Sequence, residues 1–586
     1  MSAPSRSPAP IHRLAPGTVE RIAAGEVVER PASVVKELVE NAYDAGAASV
    51  VVRIAGGGLD RIEVADDGSG IAGDDLELAV ERHATSKLPA LGPVERIATL
   101  GFRGEALAAI GSVSRLRLLS RPAAAAAAEG IEVVGGARGE RFTEARAPGT
   151  TVRVTELFFN TPARRKFLHA AAREQVEVVR TLEQLYLARP SVGLRLSGEA
   201  GELLSLPASS TLLEAAARVL GGEFPERSFP VTGGAPGTVA IEAVLGRPAL
   251  AGATGSGLYV AVNGRPVVSR GVAQAVRLGF GETIPRPRFP VGVVHLTVPP
   301  GQLDVNVHPT KREVRFAAPR AVEDELRRAV RVALDRVPSP SAPPRAAAPG
   351  SPDADRPAPT FELPFSASTS PGRQRQLVGL GDPGGPSAVP GGSGRPRLEL
   401  LGAIDALYWV ASSDDGLLLI DQHAASERLL YARLLEGGTI ARQALVDPVL
   451  LTLTAAQRAE LDANAAAVRD AGFEVERFGP TSYRVRSVPA YRGRLVRAEE
   501  LLGLLRELSD GGRPTVPDGV AERRAASIAC HAAVRAGDVI ERTTLAEILS
   551  GLDRLSDRPR SCPHGRPIAV HLPRSRLDRW FLRSGA

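Results

Sequence analysis

The chain has only two cysteines and four lysines among its 586 residues. Two cysteines cannot form the disulfide framework that stabilises small secreted domains, and so few thiols are typical of a reducing compartment. No apolar run is long enough to suggest a membrane span. The segment 1–10 lacks the apolar core of a secretory signal and is predicted to be a disordered tail. The composition therefore predicts a cytosolic protein.

Arginine occupies nearly every other basic position, so each lysine is a candidate for a site where arginine would not fit. Lys87 and Lys311 lie in motifs, where a compact, flexible ammonium group suits contact with phosphate. For Lys36 and Lys166, chance survival under a coding bias is a fair explanation. The formal net charge of +6 permits nucleic-acid binding without requiring it. A chain of this length suggests roughly three or four domains.

The segment 31–46 has the pattern of one helix, with proline at its start, glycine past its end and apolar residues at helical spacing. Glu37, Asn41 and Asp44 follow i, i+4 and i+7, so they share the polar face. A solvated surface is the alternative. Asparagine is a poor residue for a helix interior, however, and the chain has only five of them. We therefore interpret this face as functional.

Three glycine-containing or basic motifs follow that helix. An alternating strand at 61–65 runs into Asp-Asp-Gly-Ser-Gly-Ile at 66–71, where glycines let a ligand approach the backbone, although a tight turn is the alternative. Arg-His-Ala-Thr-Ser-Lys occupies 82–87. Gly-Phe-Arg-Gly-Glu-Ala-Leu at 101–107 opens a helical run, whose N-terminal amides could hold phosphate.

In this order the four motifs resemble the ATP-binding site shared by DNA gyrase, heat-shock chaperones, histidine kinases and the MutL family of mismatch-repair proteins. Segments 35–41 and 101–106 are most similar to the MutL family, and the resemblance covers the chain outside its tail and linker. It implies that ATP and Mg²⁺ bind, with Glu37 as general base, Asn41 as Mg²⁺ ligand and Asp66 as the contact to the adenine amino group. It also implies a wider set of nucleotide contacts: Gly68, Gly70, Thr85, Ser86, Lys87, Gly101, Phe102, Arg103, Gly104, Glu105 and Thr151.

The predicted fold class is multidomain α/β. Residues 11–205 are expected to form an α+β sandwich ATP-binding domain of the gyrase, chaperone and MutL type, and 206–337 a second α/β domain, the transducer. The family resemblance implies that Lys311 reaches from this domain to the γ-phosphate. Residues 338–396, rich in Pro, Gly and Ser, read as a linker that cannot bury a core and spans roughly 40–50 Å. Residues 397–586 are expected to form an α/β C-terminal dimerisation domain.

Two C-terminal motifs carry metal-ligating side chains. An apolar strand at 417–420 runs into a helix at Asp421, on which His423 and Glu427 are i, i+4 and can reach one ion. Such a pair alone is more often a surface contact. Cys562 and His564, two residues apart, add a thiolate and an imidazole, and the set suits zinc, or manganese if oxygen ligands dominate.

Together with 527–530 and 581–583, these motifs resemble the latent endonuclease site of MutL proteins that nick DNA. The resemblance implies Asp421 and Glu427 as catalytic residues, and both, with His423, Cys562 and His564, as metal ligands. The family's second glutamate, five residues after the first, is Ala432 here. The rival interpretation is an ATP-driven matchmaker without nuclease activity, which Ala432 favours and the Cys562/His564 pair opposes. A topoisomerase subunit is disfavoured, since neither an acidic metal cluster nor a nucleophilic-tyrosine domain is recognisable.

The resemblance also implies partners: a second copy of the chain in a homodimer, DNA, and the mismatch-recognition protein MutS, at the nucleoid in a bacterial cytosol. The segment from Gln443 to Pro448 is similar to Gln-x-Leu-x-x-Pro segments that dock on the sliding clamp, although chance explains so short a match about equally well. The basic cluster Arg164, Arg165 and Lys166 is interpreted as a phosphate contact or as a solvated face.

Overall fold

The computed structural model describes residues 28–85, 100–101, 104–252, 255–284, 288–299, 301–304, 314–337, 399–413, 415–438, 440–492, 494–509, 520–534, 538–555, 560–581 and 583. The predicted tail and linker lie outside these ranges. Five predicted site residues also lie outside them: Ser86, Lys87, Phe102, Arg103 and Lys311.

The ATP-binding domain is built on one sheet with strand order β5-β4-β3-β6-β2-β1-β7-β8. Its strands are β1 Ser49–Ala55, β2 Arg61–Asp66, β3 Arg115–Arg121, β4 Ala128–Val134, β5 Ala137–Glu144, β6 Gly149–Thr155, β7 Gly193–Gly198 and β8 Gly201–Leu206. Its helices are α1 Pro31–Asp44, α2 Leu76–Ala79, α3 Ala106–Ser112, α4 Pro162–Lys166 and α5 Ala171–Ala188. The pairings are antiparallel except for β1 with β7, which is parallel.

Buried and exposed residues alternate along the strands, which gives this sheet an apolar face on which helices pack. Val50, Val52 and Ile54 of β1 are buried while the residues between them are more exposed, as expected for a strand with one apolar face. The predicted apolar stripe of α1 is buried in the same core. The predicted helix at 31–46 and the predicted strand at 61–65 are therefore confirmed.

The second domain has a mostly antiparallel sheet with strand order β12-β11-β13-β10-β9. Its elements are α6 Leu212–Leu220, β9 Ser228–Ala235, β10 Val239–Gly246, β11 Leu258–Val262, β12 Arg265–Val267, α7 Arg270–Phe280, β13 Gly292–Thr297, β14 Leu303–Asp304, β15 Arg315–Phe316 and α8 Pro319–Asp335. Asn263 and Gly264 join β11 to β12 with positive φ at both positions, the geometry of a tight hairpin turn.

The described residues of the C-terminal half form two sheets and two buried clusters. The first sheet has the order β16-β17-β18-β23, and in the second β21 pairs with β19, β20 and β22. The strands are β16 Glu399–Ile404, β17 Tyr408–Ser413, β18 Gly416–Asp421, β19 Arg442–Thr452, β20 Glu474–Arg477, β21 Ser482–Tyr491, β22 Arg494–Leu495 and β23 Ala569–Pro573. The helices are α9 Gln422–Leu435, α10 Ala455–Ala463, α11 Ala465–Asp470, α12 Glu500–Ser509, α13 Val520–Ala532, α14 Arg542–Asp553 and α15 Arg574–Trp580.

Within the ranges that the structure describes, no helix combines the length and the apolar character that crossing a bilayer would demand.

Candidate functional site

Helix α1 positions the three polar residues that its spacing singled out. Glu37 is only 7% exposed, and Asn41 and Asp44 are half-buried, so this face is not a solvated surface. Lys36 is buried beside them, with its Nζ 3.7 Å from Glu37 Oε1 and 3.2 Å from Glu40 Oε1. A buried ion-paired lysine accounts for Lys36 better than chance survival does.

Asp44 connects α1 to the glycine motif that begins at residue 101. Its Oδ1 accepts a hydrogen bond from the backbone N–H of Leu100, and its Oδ2 accepts one from Gly101, both at 2.9 Å. The same peptide segment is held from the second domain, because buried Arg265 of β12 donates through Nη2 to the carbonyl oxygen of Leu100 at 2.8 Å. The sequence pointed to Asp44 only as a member of the polar face, and Arg265 was missed.

Asp66 lies at the end of β2, where two backbone amides point at its carboxylate. Its Oδ1 accepts hydrogen bonds from Gly68 at 2.9 Å and from Thr150 at 3.1 Å. Burial raises the pKa of Asp66, while these two hydrogen bonds and the charge of Arg146 oppose the shift. Thr151, another predicted contact, lies beside it on β6, and its Oγ1 accepts a 2.9 Å hydrogen bond from Arg146 Nε.

The two glycines after Asp66 are required by close packing of the chain. A Cβ at Gly68 would lie 2.8 Å from the Cβ of Ala45, just past the end of α1. Gly70 has φ of +73°, and a Cβ there would lie 2.5 Å from the carbonyl oxygen of Arg121. These contacts bring the turn against α1 and β3; the predicted approach of a ligand to this backbone stays a prediction.

The motifs at 82–85 and 104–105 lie against each other. The N–H of His83 donates to the carbonyl of Gly104 at 3.1 Å, and His83 Nδ1 lies 3.3 Å from Glu105 Oε1. Gly104 has φ of +63°, and a Cβ on it would lie 2.4 Å from the carbonyl oxygen of Ala84. Glu105 is the N-cap residue of α3, so the predicted helical run is confirmed, with its start within one residue of the prediction and its end at Ser112. Thr85 is exposed at the end of this described segment.

A second candidate site surrounds Glu427 on α9. The helix begins directly after β18, as predicted, and Asp421 caps it by accepting a hydrogen bond from the N–H of Ala424 at 3.0 Å. Glu427 is 1% exposed. Its Oε2 lies 3.6 Å from His423 Nε2, and its Oε1 is hydrogen-bonded to His564 Nδ1. The two C-terminal motifs, 137 residues apart, therefore meet at one carboxylate.

Two overlapping groups of ligand atoms share Glu427. One contains His423, Glu427 and Cys530 and the other Glu427, Cys562 and His564, with the atoms of each group within 4.8 Å of one another. Burial works to lower the pKa of His564, but its hydrogen bonds and charge interactions with Cys562 and Glu427 outweigh burial and raise the pKa to about 9. A buried carboxylate, imidazoles and thiols at this spacing fit a zinc ion, because the oxygen ligands that manganese prefers are in the minority here.

Cys530 is the ligand candidate that the predicted set omitted. It lies on α13, which packs against α9, and the sequence gave a signal because 527–530 belongs to the resemblance. Asp421 belongs to neither group of ligand atoms within the described part of the chain. Its side chain is used as the helix cap, so its roles as metal ligand and catalytic residue stay predictions.

The remaining predicted surfaces are exposed. Gln443 and Pro448 lie on β19, whose pairing with β21 breaks between Ala444 and Val449, and Val446 inside the break is 98% exposed. Arg165 and Lys166 of the short helix α4 are exposed, and Arg164 is half-buried.

Three family profiles match the chain in an order that agrees with the three folded regions. "Histidine kinase-, DNA gyrase B-, and HSP90-like ATPase" matches residues 29–129, "DNA mismatch repair protein, C-terminal domain" matches 216–335, and "MutL C terminal dimerisation domain" matches 401–540. These matches agree with the predicted multidomain α/β class.

Whole-length relatives agree with the profiles. The chain is 40% identical to the DNA mismatch repair protein MutL of Desulforudis audaxviator over 574 residues, which cover 97% of this chain and 98% of that protein. It is also 40% identical to MutL of Anaeromyxobacter dehalogenans (strain 2CP-C) over 603 residues, covering 97% and 99% of the two chains. Among solved structures, the Aquifex aeolicus MutL ATPase domain complexed with ADP is 30% identical and aligns with 47% of this chain and 94% of its own, with a TM-score of 0.36.

Proposed function

Because the chain belongs to the MutL family of DNA mismatch repair proteins and carries the family's ATPase and dimerisation domains, we propose that it is an ATP-hydrolysing dimeric clamp. The clamp couples mismatch recognition by MutS to incision and excision of DNA in the bacterial cytosol. The arrangement that best supports this proposal is helix α1, where Glu37, Asn41 and Asp44 share one partly buried face and Asp44 holds the backbone of residues 100–101.

The residues around α1 suit distinct steps of phosphoryl transfer to water. Glu37 accepts a proton from the attacking water, as a positioned carboxylate can. The amide oxygen of Asn41 is a ligand suited to Mg²⁺, which would neutralise charge on the phosphates. The backbone N–H groups of Gly68 and Thr150 both donate to Oδ1 of the Asp66 carboxylate, so we assign Oδ2 to the adenine amino group. Lys311 and the other predicted contacts outside the described residues complete the proposed phosphate site.

Replacing Asn41 by alanine is expected to weaken Mg²⁺-dependent nucleotide binding, because the change removes a metal ligand. A contact worth about 1.5–3 kcal/mol corresponds to a loss of affinity of roughly tenfold to a hundredfold. Calorimetric titration with ATP in Mg²⁺ and in EDTA measures the effect. The variant should match the wild type in EDTA, and an unchanged affinity in Mg²⁺ would remove Asn41 from the metal site.

Nucleotide is also expected to compact the dimer, because a clamp closes by pairing its two N-terminal halves. With a non-hydrolysable ATP analogue in Mg²⁺, the hydrodynamic radius measured by sedimentation should fall. The Asn41→Ala protein, titrated with the same analogue, is the matched control and should compact less. A constant radius at demonstrated saturation would contradict the clamp.

The Glu427 cluster supports a nicking endonuclease as part of the same function. Glu427, His423, Cys530, Cys562 and His564 would hold the metal. When bound, a divalent ion there would polarise a phosphodiester and lower the pKa of an attacking water. The alternative, a matchmaker with a structural metal site, is favoured by Ala432 and is separated from the nuclease by a test given in the Discussion.

Three surfaces would carry the proposed partners. The C-terminal dimerisation domain would join two copies of the chain. The exposed segment from Gln443 to Pro448, which contains the break in the pairing of β19, would dock on the sliding clamp, since its residues after Ala444 can be bound without disturbing the sheet. The exposed cations Arg165 and Lys166 would contact DNA phosphates.

A further inference from the structure

Helix α10 of the C-terminal half packs against helix α5 of the ATP-binding domain. Ala459 is buried in the core of the ATP-binding domain, and Ala455, Ala456 and Ala463 pack against the same core. Small side chains let the two helix backbones approach closely, but they remove little apolar area from water. Apolar burial alone therefore gives this contact a modest free energy.

Charged groups supply specificity to the contact. Glu460 of α10 is 2% exposed, and its Oε1 lies 3.0 Å from Arg173 Nη1 and 3.3 Å from Arg180 Nη2, both on α5. Asn464 Nδ2 donates to Glu460 Oε2 at 3.0 Å. Arg458 Nη2 donates to the carbonyl oxygen of Leu203 on β8, also at 3.0 Å. One buried carboxylate thus bridges two cations across the two halves of the chain.

A second buried acid lies at the start of α10. Glu183 of α5 is 2% exposed and accepts a hydrogen bond from the backbone N–H of Ala456, in the first turn of α10. The ATP-binding domain therefore recognises both the backbone and the side chains of α10.

We propose that the α5–α10 contact is a reversible dock, in which the C-terminal half of the chain holds its own ATP-binding domain through the Glu460–Arg173–Arg180 bridge. Interfaces between domains of one chain are commonly transient. Because the two halves belong to one chain, the effective concentration of each is on the order of millimolar, so a weak contact is sufficient. Because Glu460 is buried, salt screens this bridge only weakly, and the dock opens when one of its charges is changed.

The test uses the full chain without nucleotide. Glu460→Arg places three cations together at the contact, so its hydrodynamic radius should rise above that of the wild type in the same buffer. Glu474→Arg, the same change at an exposed position of β20, should leave the radius at the wild-type value. A Glu460→Arg protein with an intact thermal transition and the wild-type radius would overturn the proposal.

A charge exchange separates loss of docking from loss of folding. Arg173→Glu and Arg180→Glu combined with Glu460→Arg restores opposite charges, and the triple variant should recover the small radius. If the triple variant stays expanded, opposite charges at these positions do not hold the contact and the proposal fails.

Acidification should strengthen the dock. Burial raises the pKa of Glu183 to about 7, against the charges of Arg180 on its own helix and Arg458 on α10. Lys36 of α1 lines the same cleft. Since the docked state holds the proton more tightly, docking is favoured at low pH and weakens as the pH rises toward and through 7. From pH 8 to 6 the radius of the wild type should fall, whereas that of Glu183→Gln should not; a rise on acidification would contradict this role.

Discussion

Replacing Glu37 by alanine is expected to reduce the ATP turnover rate by roughly 100- to 10,000-fold, the usual contribution of a general base. Nucleotide affinity should change little, because the contacts assigned to adenine and phosphate come from other residues. A steady-state phosphate-release assay and a nucleotide-binding titration on the same preparation separate the two effects. Turnover near that of the wild type would remove Glu37 from catalysis.

The same role of Glu37 is tested with a matched control by comparing Glu37→Gln with Glu40→Gln. Glu40 lies on the same helix, is also buried, and has its carboxylate near the same lysine, since Lys36 Nζ lies 3.2 Å from Glu40 and 3.7 Å from Glu37. If Glu37 acts only by balancing the charge of Lys36, both variants will lose turnover together. If it is the base, Glu37→Gln will be nearly inactive and Glu40→Gln will keep turnover within about a few-fold.

Replacing Glu427 by alanine is expected to abolish nicking, because both groups of ligand atoms depend on this carboxylate. Losing even a supporting group at a metal site typically costs roughly 10- to 100-fold in metal affinity or activity, and a shared ligand should cost at least as much. Conversion of supercoiled plasmid to the open circle in manganese measures the activity. Glu436→Ala is the control, since Glu436 is an exposed carboxylate at the end of the same helix.

The absence of a glutamate at position 432 predicts that the wild-type activity is weak. Strand cleavage benefits from a second ion at the leaving oxygen, and loss of one carboxylate weakens the binding of that ion more than of the first. Ala432→Glu should therefore raise the nicking rate in manganese. If neither the wild type nor Ala432→Glu nicks at high manganese, the site is structural and the matchmaker interpretation is correct.

Local sequence patterns were sufficient to predict the two helices that carry the candidate site residues. Apolar periodicity and the flanking proline and glycine predicted α1, and the change from strand to helix at Asp421 predicted the start of α9. The i, i+4 relation between His423 and Glu427 follows from helix geometry alone. These inferences hold because each concerns residues within two turns of one element.

Contacts between distant segments could not be derived in this way. Arg265 is 165 residues from Leu100 along the chain, and its pairing depends on how the second domain packs against the first. Cys530 meets Glu427 only because α13 packs against α9. Glycine is likewise needed at 68 and 70 because Ala45 and Arg121 pack against those positions. No local spacing in the sequence predicts these contacts.

Through the hydrogen bond from Arg265 to Leu100, the second domain and the proposed nucleotide site would be thermodynamically linked. The peptide that Arg265 grips is the one whose amides Asp44 orders, directly before the proposed phosphate site. Any ligand of the second domain that favours one placement of β12 changes the affinity for nucleotide by some factor. Nucleotide must then change the affinity for that ligand by the same factor, since coupling free energies are reciprocal. Through this buried guanidinium, a ligand of the second domain would report on the nucleotide that we propose for the first.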